Sequence, residues 1–272
     1  MNPYLLTGPA CVSFSGGRTS GFMLAQILAA HGGTLPPDVH VVFANTGKER
    51  PETLDFVHDC ATRWGVHVRW VEWRLEKPRF REVTYETASR NGEPFDGLIA
   101  WKSYLPNPVQ RLCTQHLKIE TMRLFIKHSL RISEDYTTAV GIRYDEPRRW
   151  RIVGQDSRNA RETKVAPLVT ARVTEADVMA FWAHQPFDLA LSQGEGNCDL
   201  CFLKGTAIKE RIVRQRPDLA EWWAAHEHPS QGTRRLWRSN GLSYQQMVDR
   251  ARRQLPLFPD LGESEPDCAC TD

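Results

Sequence analysis

Short apolar runs alternate with stretches of helical periodicity through the first half of this chain, and that alternation restricts the fold more than any other feature. Residues 10–15 form a short apolar run closing on Ser-Gly-Gly and read as a buried strand. Residues 19–30 place Met23, Leu24, Ile27 and Leu28 at helical spacing and stop at His31-Gly32-Gly33. Residues 40–44 read as a second strand. Residues 51–64 read as a helix with Pro51 in its first turn and Gly65 past its end. A third strand follows at 66–73, a helix at 115–130 and a fourth strand at 135–142. Residues 74–111, rich in proline, glycine and aromatics, read as a long irregular insertion. Strand and helix in strict alternation predict an α/β fold, a parallel sheet with helices on both faces, because parallel neighbours need a crossover between them.

The last third has a different texture. Residues 174–184 read as a helix with Thr174 as N-cap and Asp177 three positions on. A loop bearing glycine and cysteine spans 194–201, helices run to about residue 254, and a proline-rich tail carries Cys268 and Cys270. The expected division is a nucleotide-binding α/β domain at 1–170 and a mainly helical subdomain at 171–272.

With 272 residues, 41% hydrophobic and 25% charged, the composition is that of a globular chain, and a net charge of +2 neither requires nor excludes a nucleic-acid partner. Basic residues gather at 209–216 and 234–253, and the last fourteen positions hold five acids and no base. No stretch approaches the roughly 20 apolar residues of a membrane helix, and the first ten residues lack a basic leader region. Seven cysteines without a secretory signal predict a reducing, cytoplasmic setting in which thiols serve packing, metal binding or redox chemistry.

Ser15-Gly16-Gly17-Arg18-Thr19-Ser20, set between a strand and a helix, is the strongest chemical signal. Adjacent glycines let backbone N–H groups approach phosphate oxygens, and the helix start adds free N–H groups and the positive end of its dipole. Hydroxyls of Ser15, Thr19 and Ser20 and the cation of Arg18 complete a phosphate-binding set. It is neither a Walker loop nor a Rossmann fingerprint; the alternative is a glycine-rich turn that binds nothing.

Four blocks in order resemble the PAPS reductase family within the PP-loop ATP pyrophosphatases: the Ser-Gly-Gly loop; the segment from Phe43 through Asn45-Thr46-Gly47 to Pro51-Glu52-Thr53; Cys113-Thr114 with Leu117-Lys118; and Gly141-Ile142-Arg143 running to Glu146 and Arg148-Arg149. The resemblance implies that Ser15, Gly16, Gly17, Arg18, Thr19 and Ser20 cradle phosphates, that Ala44 and Asn45 meet the adenine or ribose, and that Gly141 and Arg143 touch the nucleotide. Arg18, Lys118, Arg143, Arg148 and Arg149 are then the cations for charge developing at the phosphoryl group, with ATP and Mg²⁺ as cofactors. Arg148 and Arg149 read equally as a solvated loop, and Glu49 and Asp145 as Mg²⁺ or positioning groups or as surface ion pairs.

Cys198-Asp199-Leu200-Cys201 places two thiols at a spacing that suits one metal or cluster. Iron–sulfur members of the family carry a tandem cysteine before the lysine-bearing helix; here Leu112 stands before Cys113. The resemblance implies a [4Fe–4S] cluster on Cys113, Cys198, Cys201 and Cys270, with Cys268 as alternative fourth ligand and zinc as the rival metal. Cluster-free members use a cysteine in a Glu-Cys-Gly tail, from which Asp267-Cys268-Ala269-Cys270 departs. Cys11 and Cys60 read as core, and Trp182, Trp222, Trp223 and Trp237 as packing.

Three functions follow. The first is an ATP pyrophosphatase that adenylates an acceptor, nucleic acid among the candidates, for sulfur insertion as in thiolation or phosphorothioation, with a cysteine desulfurase as sulfur donor. The second is a PAPS or adenylyl-sulfate reductase releasing sulfite. The third is a non-catalytic nucleotide-binding module.

Overall fold

The computed structural model describes residues 2–154, 159–192, 194–196, 198–228, 236–237 and 241–253. The first strand, β1 (Ala10–Ser13), leads into helix α1 (Arg18–Ala30). Strand β2 (Val39–Asn45), helix α2 (Pro51–Arg63) and strand β3 (Val68–Trp73) follow. Then come β4 (Phe80–Val83), α3 (Glu93–Lys102), a π-helix (Cys113–Glu120) and α4 (Thr121–His128). Strand β5 (Tyr136–Val140), helix α5 (Pro147–Gly154) and strand β6 (Glu162–Val165) complete the sheet. Helices α6 (Pro167–Thr170), α7 (Glu175–Ala183), α8 (Thr206–Gln215), α9 (Asp218–Ala225) and α10 (Tyr244–Arg252) end the described chain.

Six strands form one sheet in the order β4-β3-β2-β1-β5-β6, parallel throughout except for the antiparallel edge pair β3–β4. The expected α/β architecture is therefore present. Alternation along the strands sorts the two faces. Val12, Val41 and Phe43 enter a core with Leu24, Ile27, Phe56 and Val57 from α1 and α2. Their neighbours Cys11, Val42 and Ala44 enter a second core under Phe125 and Ile126 of α4. A third core, around Trp73, Phe95, Phe202, Trp223 and Trp237, gathers α3 with α8, α9 and α10.

The stretch at 74–111 is more regular than its composition suggests. It contains β4, whose Phe80 packs edge-on against Phe125 at 6.0 Å, and α3, which enters the third core. Strand β6 also lies outside the sequence expectation. Its residues Glu162, Thr163, Lys164 and Val165 have no apolar alternation, and it exists because its backbone pairs with β5. Helix α7 starts as expected: the Asp177 carboxylate accepts from Thr174 N–H (2.8 Å) and the Thr174 hydroxyl (2.7 Å). It packs on α1, and Trp182 Nε1–H donates to the Arg18 carbonyl at 2.9 Å. This helix, which the division expected at residue 170 assigns to the C-terminal part, is thus part of the wall of the α/β core.

Candidate functional site

The turn between β1 and α1 lies where the strand order changes direction: β2 lies on one side of β1 and β5 on the other. In an open α/β sheet this crevice is the ligand site. Gly16 holds φ at +79°, and a Cβ there would stand 2.8 Å from a Thr53 methyl and 3.0 Å from one of Val57. Gly17 precedes α1 without a side-chain cap, and the first turn has no acidic residue. The Ser20 hydroxyl braces the loop. It accepts from Ser15 N–H (3.2 Å), donates to the Gly17 carbonyl (3.0 Å) and lies 2.9 Å from the Ser15 hydroxyl. From β5, Gly141 closes against the same turn: a Cβ there would lie 3.0 Å from Ser20 Cα.

Arg143 follows at once. Its Nη1 donates to the Thr19 hydroxyl (3.0 Å) and its Nε to Asp145 (3.0 Å), with Glu175 3.5 Å and Glu146 3.9 Å away. Burial opposes its charge, but Glu146, Asp145 and Glu175 outweigh burial and hold its pKa above the ordinary arginine value. Asp145, expected as a metal-binding or positioning group or as a surface pair, is this ion-pair partner. Arg18 goes elsewhere. Its guanidinium forms a bidentate pair with Asp188 (2.8 Å and 2.8 Å) and donates to the carbonyls of Leu189 and Leu191, so its cation ties residues 188–191 to α1. On α5, Arg149 pairs with Glu146 at 2.9 Å while Arg148 is exposed.

Ala44 faces the second core. Asn45 is fully buried. It donates to Glu72 (2.7 Å) and the Ser89 carbonyl (2.9 Å) and accepts from Gly47 N–H (3.0 Å), so its side chain frames the turn after β2. Glu72, with no solvent exposure, also accepts from Ser89 N–H (2.6 Å), the Ser89 hydroxyl (2.9 Å) and Arg81 (2.7 Å). Glu72 has no motif in sequence; its signal is a carboxylate set between Val71 and Trp73 in an apolar run, since such a group needs partners when buried.

The turn after β2 also meets the cysteine loop. Glu49 and Cys198 form an antiparallel bridge, and Asp199 N–H donates to the Lys48 carbonyl at 2.7 Å. Lys48 and Asp199 make a buried ion pair at 2.8 Å, and Asp199 accepts from Trp223 Nε1–H at 2.7 Å. Lys204, wholly buried, donates to the carbonyls of Gly194 (3.2 Å) and Gly196 (2.6 Å), which pins the chain just ahead of Cys198. None of these braces is a motif in sequence: the Lys48–Asp199 pair and the Glu49–Cys198 bridge join segments about 150 positions apart, and the Lys204 contacts run to backbone carbonyls, which no residue type marks.

Cys198 lies 3.7 Å from the Thr46 hydroxyl, and Thr46 donates to Glu49 through its N–H (2.9 Å) and its hydroxyl (2.8 Å). The other Glu49 oxygen is buried without a hydrogen-bond partner among the described residues, 3.8 Å from Lys118 Nζ. Glu49 is thus neither a surface carboxylate nor solvated. Burial, then the charge of Glu49, pushes the Cys198 thiol up to about 12. Cys113 and Lys118 share the π-helix, an element in which one extra residue per turn re-aims side chains and which recurs at functional sites. Cys113, Cys198 and Cys201 join one apolar cluster. Cys11 and Cys60 are buried in the sheet cores, as expected.

The three thiols and an orphaned carboxylate oxygen suit the donor chemistry of a thiophilic metal. Among the described residues, however, no group of three or more histidine, cysteine or acidic side chains is arranged to hold a metal ion. The expected fourth ligands, Cys270 and Cys268, lie outside the described residues, as does Asn197. No described helix is long and apolar enough to cross a membrane.

Two solved structures are similar in fold to this chain. One is the phosphate complex of phosphoadenylyl-sulfate (PAPS) reductase from Candida auris, with 18% identity, covering 67% of this chain and 79% of that one at a TM-score of 0.42. The other is the U34-tRNA thiolase NcsA from Methanococcus maripaludis with its [4Fe-4S] cluster, with 11% identity, covering 97% and 82% at a TM-score of 0.43. In sequence, the chain is 30% identical over 207 residues to an uncharacterized nin region protein, ORF290, of Escherichia phage lambda, covering 72% of this chain and 66% of that protein. It is also 30% identical over 135 residues to an uncharacterized protein of Methanocaldococcus jannaschii, covering 50% of this chain and 23% of that protein. The chain thus spans just under two thirds of the phage relative and about a quarter of the archaeal one. Residues 9–188 match the phosphoadenosine phosphosulfate reductase domain, and the chain belongs to that family.

Proposed function

We propose that this chain is an ATP pyrophosphatase that adenylates a nucleic-acid acceptor for sulfur insertion. The observation that supports it is the meeting, at the ends of β1, β2 and β5, of a braced glycine loop, the Arg143 cation and a cysteine loop bridged to Glu49. An acceptor oxygen attacks the α-phosphorus of ATP, the bond to the β-phosphate oxygen breaks, and pyrophosphate leaves. The terminal sulfur of a persulfide supplied by a donor, a cysteine desulfurase being the natural one, then displaces AMP from the activated position, and a thiol reductant cleaves the resulting S–S bond to release the thiolated acceptor. Loop N–H groups and the start of α1 hold the leaving pyrophosphate, with Mg²⁺ as counterion, and Arg143 meets charge developing at the phosphoryl oxygens. Lys118, Arg148 and Arg149 are further cations for that charge. Arg18 acts indirectly, by fixing α1 to residues 188–191.

Cys113, Cys198 and Cys201 would hold a [4Fe–4S] cluster or zinc together with Cys270 or Cys268, and when bound the metal supplies a Lewis-acid seat for sulfur. The thiols suit a reducing, cytoplasmic setting. The family also contains sulfite-releasing reductases, and the departure of Asp267-Cys268-Ala269-Cys270 from their tail favours adenylation over reduction.

The test is anaerobic incubation with Mg-ATP and, separately, with PAPS and adenylyl sulfate plus a thiol reductant, following pyrophosphate and sulfite. Nucleic acid is present in the ATP arm. Pyrophosphate that falls about 10²–10³-fold in Arg143→Ala is expected, the range for losing one preorganised donor. Sulfite release would make the chain a reductase, and absence of nucleotide binding would remove the reading altogether.

A further inference from the structure

Residues 74–81 and 99–111 bring another set of cations and rings to the surface beside the π-helix. The first segment holds Arg74, Lys77 and Arg79 against one acid, Glu76, its Arg81 being paired with the buried Glu72; the second holds Lys102 and Arg111 and no acid. Between these cations stands Trp101, 37% exposed at the end of α3 and stacked on Trp73 with centroids 5.8 Å apart. The Arg79 guanidinium carbon lies 4.3 Å from the Trp101 ring centroid, and Lys102 Nζ lies 3.8 Å from it. Arg79 adopts a left-handed backbone, φ 68°, and its Nη1 is buried with no hydrogen-bond partner among the described residues. Nearby, Asn107 accepts from the N–H groups of Val109 (3.0 Å) and Gln110 (2.8 Å), a tight turn that holds Val109 out at 91% exposure.

We infer that this face binds a single-stranded polynucleotide, with bases packing on Trp101 and Val109 and phosphates on Arg79 and Lys102. The inference rests on the reading of the acceptor as a nucleic acid. Every base has a π-face that an exposed indole can take regardless of sequence, and flanking cations follow the backbone. An acidic peptide would answer the cations but leave the ring unused. The position also matters, because the Trp101 ring is 5.2 Å from that of His116, on the π-helix that bears Cys113 and Lys118. A strand lying across Trp101 is thereby led toward the thiols.

The experiment titrates the full chain, without ATP, into fluorescein-labelled 20-mers of single-stranded RNA and of single-stranded DNA, reading anisotropy at several salt concentrations. Trp101→Ala is expected to weaken binding about tenfold or more, and Trp101→Phe to retain most of it. Arg79→Ala with Lys102→Ala is expected to lower the slope of log Kd against log salt by about 1.4, two phosphate contacts at single-strand counterion density. Thermal unfolding checks that each variant folds, and Arg79→Ala with Lys102→Ala decides the matter if Trp101→Ala does not. Tighter binding of RNA than DNA would point to contact with the 2′-hydroxyl and equal binding to stacking alone; both support the surface. The inference falls if the parent binds neither 20-mer, if these variants bind as the parent does, or if polyglutamate displaces RNA as well as unlabelled RNA does. Pyrophosphate release by a parent whose polynucleotide affinity none of these substitutions moves would keep the proposed function and remove this surface alone.

Discussion

At the scale of single residues, the site depends on positions where a side chain would not fit. Gly16 combines a left-handed backbone with a wall of α2 side chains 2.8 Å and 3.0 Å from where a Cβ would stand. Gly16→Ala is therefore expected to lower unfolding free energy by about 1–3 kcal/mol, from backbone strain together with overpacking. Urea denaturation measures that loss, and calorimetric titration with Mg-ATP should show nucleotide affinity falling with it. An alanine variant with unchanged midpoint and affinity would mean that the loop relaxes without cost. The glycines were legible in sequence because their chemistry is local. The destination of Arg18 was not, since Asp188 and the carbonyls it meets lie about 170 positions away. Glu49 and Glu72 were hidden for the same reason: what sets a carboxylate's role is which distant groups surround it.

Elements show a similar division. Strands with apolar alternation and helices with clear caps were readable, as α7 with its Thr174–Asp177 cap shows. Strands β4 and β6 were not, because each is short and its pairing comes from the neighbouring edge. The helix expected at 115–130 divides into a π-helix and α4. Its i+5 geometry accompanies a Thr121 hydroxyl bond to the His116 carbonyl (2.8 Å), a detail that 3.6-residue periodicity does not carry.

Between α9 and α10, Glu227 accepts from Tyr244 N–H at 2.7 Å. Burial raises its carboxyl to about 7, against the pull of the Tyr244 and Trp237 backbone N–H groups and of Lys209. A carboxyl whose folded pKa exceeds its unfolded value holds its proton more tightly in the folded state. Its contribution is then largest below the ordinary glutamate range and is lost as pH rises toward 7. Chemical denaturation at pH 5 and pH 7.5 should show this fall, and Glu227→Gln should flatten it. An equal pH dependence in both proteins would assign the effect to other groups.

For the whole molecule, the decisive contact is between α7 and α1. Trp182, Leu189 and Leu191 close the first core over Leu24, Phe56 and Val57, and Arg18 is anchored to the same segment. A fragment ending at residue 170 would expose that face of α1, losing several large buried side chains, each worth about 1.5–3 kcal/mol. It is expected to lack a cooperative thermal transition by circular dichroism and to fail to bind Mg-ATP. A fragment of that length with a sharp transition would show that the sheet and its first helices suffice.

From its sequence alone, this protein's α/β class, its glycine loop, its buried Cys11 and Cys60 and its family resemblance were determined, because periodicity and a contiguous motif are properties of neighbouring residues. Only the tertiary structure decided that Arg143 stands at the loop while Arg18 leaves it, that Lys48 and Asp199 join the turn after β2 to the cysteine loop, and that Glu49 lies buried beside Cys198. Each of those outcomes turns on side-chain direction and on burial between segments far apart in the chain, and a charged group's partners are set by which strands and helices the fold brings to one edge.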